Sequence, residues 1–162
     1  MSRAYLDTNF LYGVLRQPEQ ATAPAFRAWR GRLEEETAGE AVLISALVID
    51  ELVYRLVLAW LKDGGDTDPL STFRQSTVEV MGRMRTRLSQ LWEALVTLPV
   101  LMVDTDSAVI RRAMALMADP GLGPRDAFHA AHAVETGCEW IVSSDVSFDL
   151  LSTPRRLGPT TP

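Results

Sequence analysis

The sequence predicts an α/β fold in which a short parallel sheet is flanked by helices, and three observations carry that reading. Short apolar runs alternate with helical periodicities along the chain, an order that implies crossover connections and a parallel sheet with helices on both faces. The 162 residues suit one compact domain large enough for a core. With 47% hydrophobic and 23% charged residues, the composition is that of a globular chain, neither disordered nor fibrous.

Residues 3–6 form a strand-like run that stops on Asp7, and residues 9–15 continue with a helix or turn pattern. Residues 17–22, with Pro18, read as a loop. A helix follows through Phe26, Trp29 and Leu33, closing in the acidic run Glu34-Glu35-Glu36 with Gly39 as its stop. Residues 41–44 make the second strand, and Ser45 is placed to cap a helix over residues 46–62 that Gly64-Gly65 ends. From 66 to 98 the pattern is that of an amphipathic helical hairpin, with Val78, Met81, Met84, Leu88, Leu91 and Leu95 on its apolar positions. Pro99 breaks it, and residues 100–103 form the third strand. Residues 107–117 are a helix, Asp119-Pro120-Gly121 turns the chain, and Pro124 opens a helix that Gly137 stops. Residues 140–143 form a fourth strand, which is followed closely by another acid, Asp145. Residues 158–162 read as a loose tail.

Sixteen Lys and Arg stand against twenty-one Asp and Glu, a formal net charge of −5. That balance argues against a protein that grips nucleic acid through bulk positive charge, yet leaves open an enzyme that meets phosphate through metal ions. Lys62 is the single lysine, so a phosphate-binding lysine has one candidate. Cys138 is the single cysteine, which excludes an intramolecular disulfide and a cysteine-based zinc site. The first seven residues reach an acid before an apolar leader develops, and the apolar stretch 41–61 is interrupted by Asp50, Glu51 and Arg55. A cytoplasmic protein without a signal peptide or membrane span is expected.

Ligands of open parallel sheets bind beyond the carboxyl ends of the strands, where Asp7 and Asp145 fall. Two converging carboxylates repel unless they are protonated or bridged, and a hard divalent cation takes such oxygen ligands. A lone strand-end Asp is also an ordinary turn or cap residue. Glu51 lies on a helix that is apolar nearly all round, where a carboxylate needs a partner; Arg55 one turn on is one, and Asp50 competes for the same role. Periodicity does not choose between Asp50 and Glu51. Asp126 sits in the first turn of its helix, where the macrodipole lowers a carboxyl pKa. His129 and His132 share a helix face but lack further ligands for a metal, and read as packing or hydrogen-bonding residues. Cys138 reads as a small buried apolar side chain.

Four segments in order, Asp7-Thr8-Asn9, Ser45 followed six positions later by Glu51-Leu52, the run from Gly123 to Ala131 (Gly-Pro-Arg-Asp-Ala-Phe-His-Ala-Ala), and Ser143-Ser144-Asp145-Val146-Ser147-Phe148, together resemble the PIN-domain ribonucleases. The likeness is greatest to the VapC-type toxins of toxin–antitoxin modules. It implies a PIN-like α/β/α sandwich, a single domain over 1–157, and an acidic quartet of Asp7, Glu51, Asp126 and Asp145 at the C-terminal edge of the sheet, choosing Glu51 over Asp50. It also implies hydrolysis of RNA phosphodiesters with Mg²⁺ or Mn²⁺, the quartet being both the metal ligands and the catalytic residues, with Asp7 and Asp126 the most direct ligands. Thr8, Asn9 and Ser143 match polar motif positions that orient carboxylates or metal-bound waters, and Phe148 anchors the loop. Many relatives carry an acid where this chain has Ser147, so Asp149 is a supporting candidate.

The resemblance further implies a VapB-type antitoxin and a homodimer, with residues 72–95 and the helix over 46–61 as the surface for one or the other, or as plain core. Arg83, Arg85, Arg87, Arg111, Arg112, Arg155 and Arg156 are candidates to contact RNA phosphates, although each taken alone reads more readily as part of a solvated helix face. The competing reading is a catalytically inactive PIN-like module that binds RNA or a partner; four retained acids weigh against it. A phosphoacceptor receiver-like domain also clusters acids at a sheet edge, but Lys62 is poorly placed for it. With the quartet set aside as local chemistry, seventeen acids face sixteen cations, and the rest of the chain is close to neutral.

Overall fold

A computed structural model describes residues 2–16 and 24–159. The chain divides into two compact units, one of Met1–Ile49 with Pro99–Pro162 and one of Asp50–Leu98.

The first unit holds a five-stranded sheet: β1 (Ala4–Leu6), β2 (Val42–Ser45), β3 (Val100–Val103), β4 (Trp140–Val142) and β5 (Arg155–Leu157). The strand order is β3-β2-β1-β4-β5, and every neighbouring pair is parallel. β1 and β4 are buried at every residue, as strands covered on both faces are. β3 is an edge strand, and Leu101 and Met102 are exposed on it. Four strands are legible in the sequence; β5 is the addition. Two of its three residues are arginines, so no apolar run announces it, and only Leu157 enters the core.

Helices flank the sheet in an α/β sandwich. α1 (Thr8–Arg16) starts directly after Asp7, and α2 (Pro24–Thr37) buries Trp29, Leu33 and Thr37, one turn apart. Phe10, Phe26 and Trp29 pack as an aromatic cluster, and the Trp29 indole donates to the Leu157 carbonyl at 2.7 Å, which ties α2 to β5. Gly39, at φ +81°, makes the turn after α2 in a conformation other residues rarely adopt. The loop expected at 17–22 lies outside the described residues, as do residues 160–162 of the tail. Gly158 is buried, and its carbonyl accepts from Arg32 at 3.1 Å.

α3 (Ala46–Asp63) follows β2 without a break. α6 (Ser107–Ala118) is capped by Asp106, whose carboxylate accepts from the Ala108 and Val109 amides. α7 (Pro124–Glu135) has proline in its first turn and buries Ala127, His129, Ala130, Ala131, His132 and Ala133; alanines let this helix lie close to its neighbours. A 3₁₀ turn, Val146–Leu150, links β4 to β5 and buries Phe148.

The helical stretch expected over 66–98 resolves in the second unit into a short α4 (Pro69–Gln75) and a long α5 (Thr77–Val96), parted at Ser76. Val57, Leu61, Val80 and Met84 form this unit's core, with Val53, Trp60, Phe73, Met81 and Leu88 packed against it. Among the described residues no helix is long and apolar enough to cross a membrane.

Candidate active site

The chain runs from β1 outward to β3 and then crosses to β4 and β5, so strand order reverses between β1 and β4, the place where open α/β sheets form their binding crevice. Asp7 and Ser143 are the residues immediately after these two strands. Asp7 is almost fully buried, and donors occupy both its oxygens. Oδ1 accepts from the Thr8 amide at 2.6 Å, while Oδ2 accepts from Ser143 Oγ at 2.6 Å and Asn9 Nδ2 at 2.8 Å. Asn9 Nδ2 also reaches Ser143 Oγ at 3.0 Å, and Asn9 Oδ1 accepts from the Ser144 amide at 3.2 Å. A buried carboxylate needs compensation of this kind, and here it comes from neutral dipoles that leave the negative charge uncancelled.

Asp145 caps the 3₁₀ turn, accepting from the Ser147 amide at 2.8 Å, and its own amide donates to Ser143 Oγ at 2.9 Å. Asp126, in the first turn of α7, accepts from Ser147 Oγ at 3.3 Å. Its carboxyl is held above the ordinary carboxylate range, first by burial and then by the Asp145 and Asp7 charges, against the lowering influence of Ser147 and His129. This corrects the expectation that the helix macrodipole depresses it: desolvation and two like charges outweigh a partial charge at the helix end. The first unit thus brings together Asp7, Asp126, Asp145, Thr8, Asn9 and Ser143.

Glu51 lies in the second turn of α3, half-buried, whereas Asp50 beside it is exposed. Asp149 is gripped by Arg156: Nε and Nη2 donate to the two carboxylate oxygens at 2.7 and 2.8 Å, and Nη1 reaches the Ser143 carbonyl at 3.4 Å. The guanidinium holds the Asp149 carboxyl below its ordinary range. Two more of the candidate arginines are likewise paired, Arg112 with Glu135 at 2.9 Å and Arg155 with Glu139, the latter also stacked over Trp140. Arg111 lies on α6, and Arg83, Arg85 and Arg87 lie on α5, where Arg87 covers the Trp60 ring.

Three further residues belong to this site and are not singled out for it in the sequence reading. His129 Nε2 stands 3.6 Å from Asp7 Oδ1, and Tyr5 contacts His129 from behind. Ser147, noted as the place of a missing acid, restrains Asp126 instead. Spacing carried faint signals: Tyr5 is two residues before Asp7 on one strand, and His129 is three after Asp126 on one helix.

A PIN domain family model matches residues 4–152. The chain belongs to the PIN domain family. This PIN domain is similar in fold to the VapBC2 complex of Rickettsia felis, solved bound to a DNA fragment from their promoter, at a TM-score of 0.52 and 16% identity over 95% of this chain and 96% of that one. It is also similar to a toxin–antitoxin complex of Klebsiella pneumoniae (TM-score 0.51, 17% identity, 96% and 97% covered). A third likeness is to FitAcB of Neisseria gonorrhoeae (TM-score 0.52, 22% identity, 96% and 97% covered). No curated protein matches the chain.

Proposed function

We propose that this PIN domain, a single domain over 1–157, is the toxin of a toxin–antitoxin pair and hydrolyses RNA phosphodiester bonds with Mg²⁺ or Mn²⁺. The observation that carries the reading is the convergence of Asp7, Asp126 and Asp145 at the β1/β4 crevice, where burial first and then the charges of Asp145 and Asp7 raise the Asp126 carboxyl. The donor set fits a hard divalent cation: carboxylate oxygens, with an excess of negative charge that a cation would relieve. Asp7 and Asp126 would be the direct ligands, with Asp145 and Glu51 completing the quartet. When bound, such an ion supplies an activated water and a counter-charge for the phosphate.

The chain's own residues do the positioning. Ser143 and Asn9 fix the Oδ2 edge of Asp7, Ser147 restrains Asp126, and the 3₁₀ cap orients Asp145. No protein nucleophile is required. RNA cleavage by the purified protein should depend on Mg²⁺ or Mn²⁺ and stop in both Asp7→Asn and Asp126→Asn, with calorimetric Mn²⁺ binding lost in parallel. Unchanged cleavage in Asp126→Asn would overturn the proposal.

The toxin–antitoxin assemblies among the structural neighbours support a VapB-type antitoxin as partner, and a homodimer and a cytoplasmic setting accompany that reading. For the antitoxin, α5 offers a second apolar stripe besides its buried one: Val78, Trp92 and Val96 are exposed, and Val78 and Trp92 line a shallow groove of about 680 Å³ with Met81, Gly82 and Leu88. Trp92→Glu should weaken co-purification with the proposed antitoxin while leaving RNA cleavage intact; equal co-purification would move the antitoxin to another face.

A further inference from the structure

Behind Asp7 lies a buried row of polar groups to which the proposed chemistry assigns no role. Tyr5 is fully buried on β1, and its hydroxyl is 2.6 Å from Ser45 Oγ at the end of β2 and 3.1 Å from His129 Nδ1 on α7. The other imidazole nitrogen, Nε2, faces Asp7 Oδ1 at 3.6 Å. One phenolic oxygen therefore joins the strand that carries Asp7 to the helix that carries Asp126.

The order of these groups dictates where each proton sits. An ionised carboxylate only accepts, so a nitrogen lone pair aimed at Asp7 is repelled and an N–H is attracted. With its hydrogen on Nε2, a neutral imidazole leaves Nδ1 as an acceptor. The Tyr5 hydroxyl then donates to Nδ1, and its oxygen accepts from the Ser45 hydroxyl. Donation runs in one direction, Ser45 to Tyr5 to His129, and hydrogen bonds aligned in this way polarise and strengthen one another, leaving the Nε2–H dipole directed at Asp7 across 3.6 Å.

Resting on the reading of Asp7 as a metal-binding carboxylate, we infer that Tyr5 and His129 are positioning residues, a relay that holds the imidazole in its Nε2–H tautomer and so reinforces the orientation of the Asp7 carboxylate. Ser143 and Asn9 grip one oxygen of Asp7 and the Thr8 amide grips the other, to which the relay adds an N–H dipole from the opposite element. Removing a group that orients a metal ligand commonly weakens metal affinity by about 10- to 100-fold.

The test is nitrogen NMR on the full chain labelled at histidine, whose two histidines are told apart with His129→Gln. Metal-free wild type should show His129 protonated at Nε2 and unprotonated at Nδ1. Tyr5→Phe, which removes one oxygen, should mix the tautomers and weaken Mn²⁺ binding by roughly tenfold or less, one step further from the ligand than the cases that set that scale. If Tyr5→Phe fails to fold, Ser45→Ala interrupts the same relay and should shift the His129 signals in the same direction. A wild-type His129 carrying its proton on Nδ1, or a tautomer and Mn²⁺ affinity unmoved by Tyr5→Phe and Ser45→Ala, would overturn the relay. The tautomer is read without RNA, so a protein that shows the relay and cuts no RNA would refute the ribonuclease reading alone.

Discussion

Asp149 and Asp145 stand four residues apart on the same 3₁₀ segment, yet their surroundings give them different work. Asp145 faces Asp126 and accepts from the Ser147 amide, whereas both oxygens of Asp149 are held by Arg156. A carboxylate already neutralised by a fork of two N–H donors is a poor metal ligand. Asp149→Asn should therefore leave cleavage within about threefold, a loss of under ~1 kcal/mol in transition-state stabilisation. Arg156→Ala should act on stability, by about 1 kcal/mol, because it removes a bidentate pair and the contact to the Ser143 carbonyl. Paired cleavage assays and urea titrations check both. The same residues mark how far the site was legible in the sequence. Asp7, Asp126 and Asp145 announce themselves by local position, at a strand end, a helix start and a cap. Glu51 does not, since the helical neighbours of Asp50 are equally apolar, and only burial separates them. The partnership of Arg156 with Asp149 and that of Tyr5 with His129 depend on tertiary placement, on which spacing is nearly silent.

Two helices carry consequences that belong to the element and not to one side chain. α7 is packed closely enough to bury two histidines, and burial, with His129 nearby, pushes the His132 imidazole below its ordinary 6.5, partly offset by Asp106. His132 stacks on Tyr5 and holds Thr105 through Nε2 at 3.1 Å. As pH falls below 6.5 the unfolded chain takes up a proton that the folded chain refuses. The stability from neutral His132 is thus fully present above that pH and is lost toward the lower folded value, at up to about 1.4 kcal/mol per pH unit. His132→Phe keeps the stacked ring and should flatten this part of the acid limb in urea unfolding; identical limbs would refute the assignment. In α5, Gly82 sits in mid-helix, and among the described residues the place where a Cβ would stand is open space beside the helix's own backbone. Gly82→Ala should then raise unfolding stability by about 0.4–1 kcal/mol, by reducing the freedom of the unfolded chain and improving helix propensity.

For the whole molecule, the alternation of apolar runs and helices was enough to fix the sheet as parallel and to order its four apolar strands along the chain, because buried parallel strands read as uninterrupted hydrophobic segments. β5 escaped because an edge strand needs burial on so little of its surface that two arginines fit within three residues. Those arginines also bear on how an acidic chain would meet the proposed RNA substrate. Of the seven candidate contacts, Arg112, Arg155 and Arg156 are already paired with Glu135, Glu139 and Asp149, so the proposed ribonuclease reading expects phosphate contacts mainly from Arg83, Arg85, Arg87 and Arg111. Each phosphate neutralised on a single strand contributes about −0.7 to the slope of log affinity against log salt, so four give at most about −3. Binding of a non-cleavable RNA to Asp7→Asn in Ca²⁺, followed from 50 to 300 mM salt, should fall along a slope between about −1 and −3. A markedly steeper slope would mean that the three pairs open on binding and all seven arginines engage. A flat one would mean that the acidic crevice holds RNA almost entirely through its metal ions, with the arginines serving the fold.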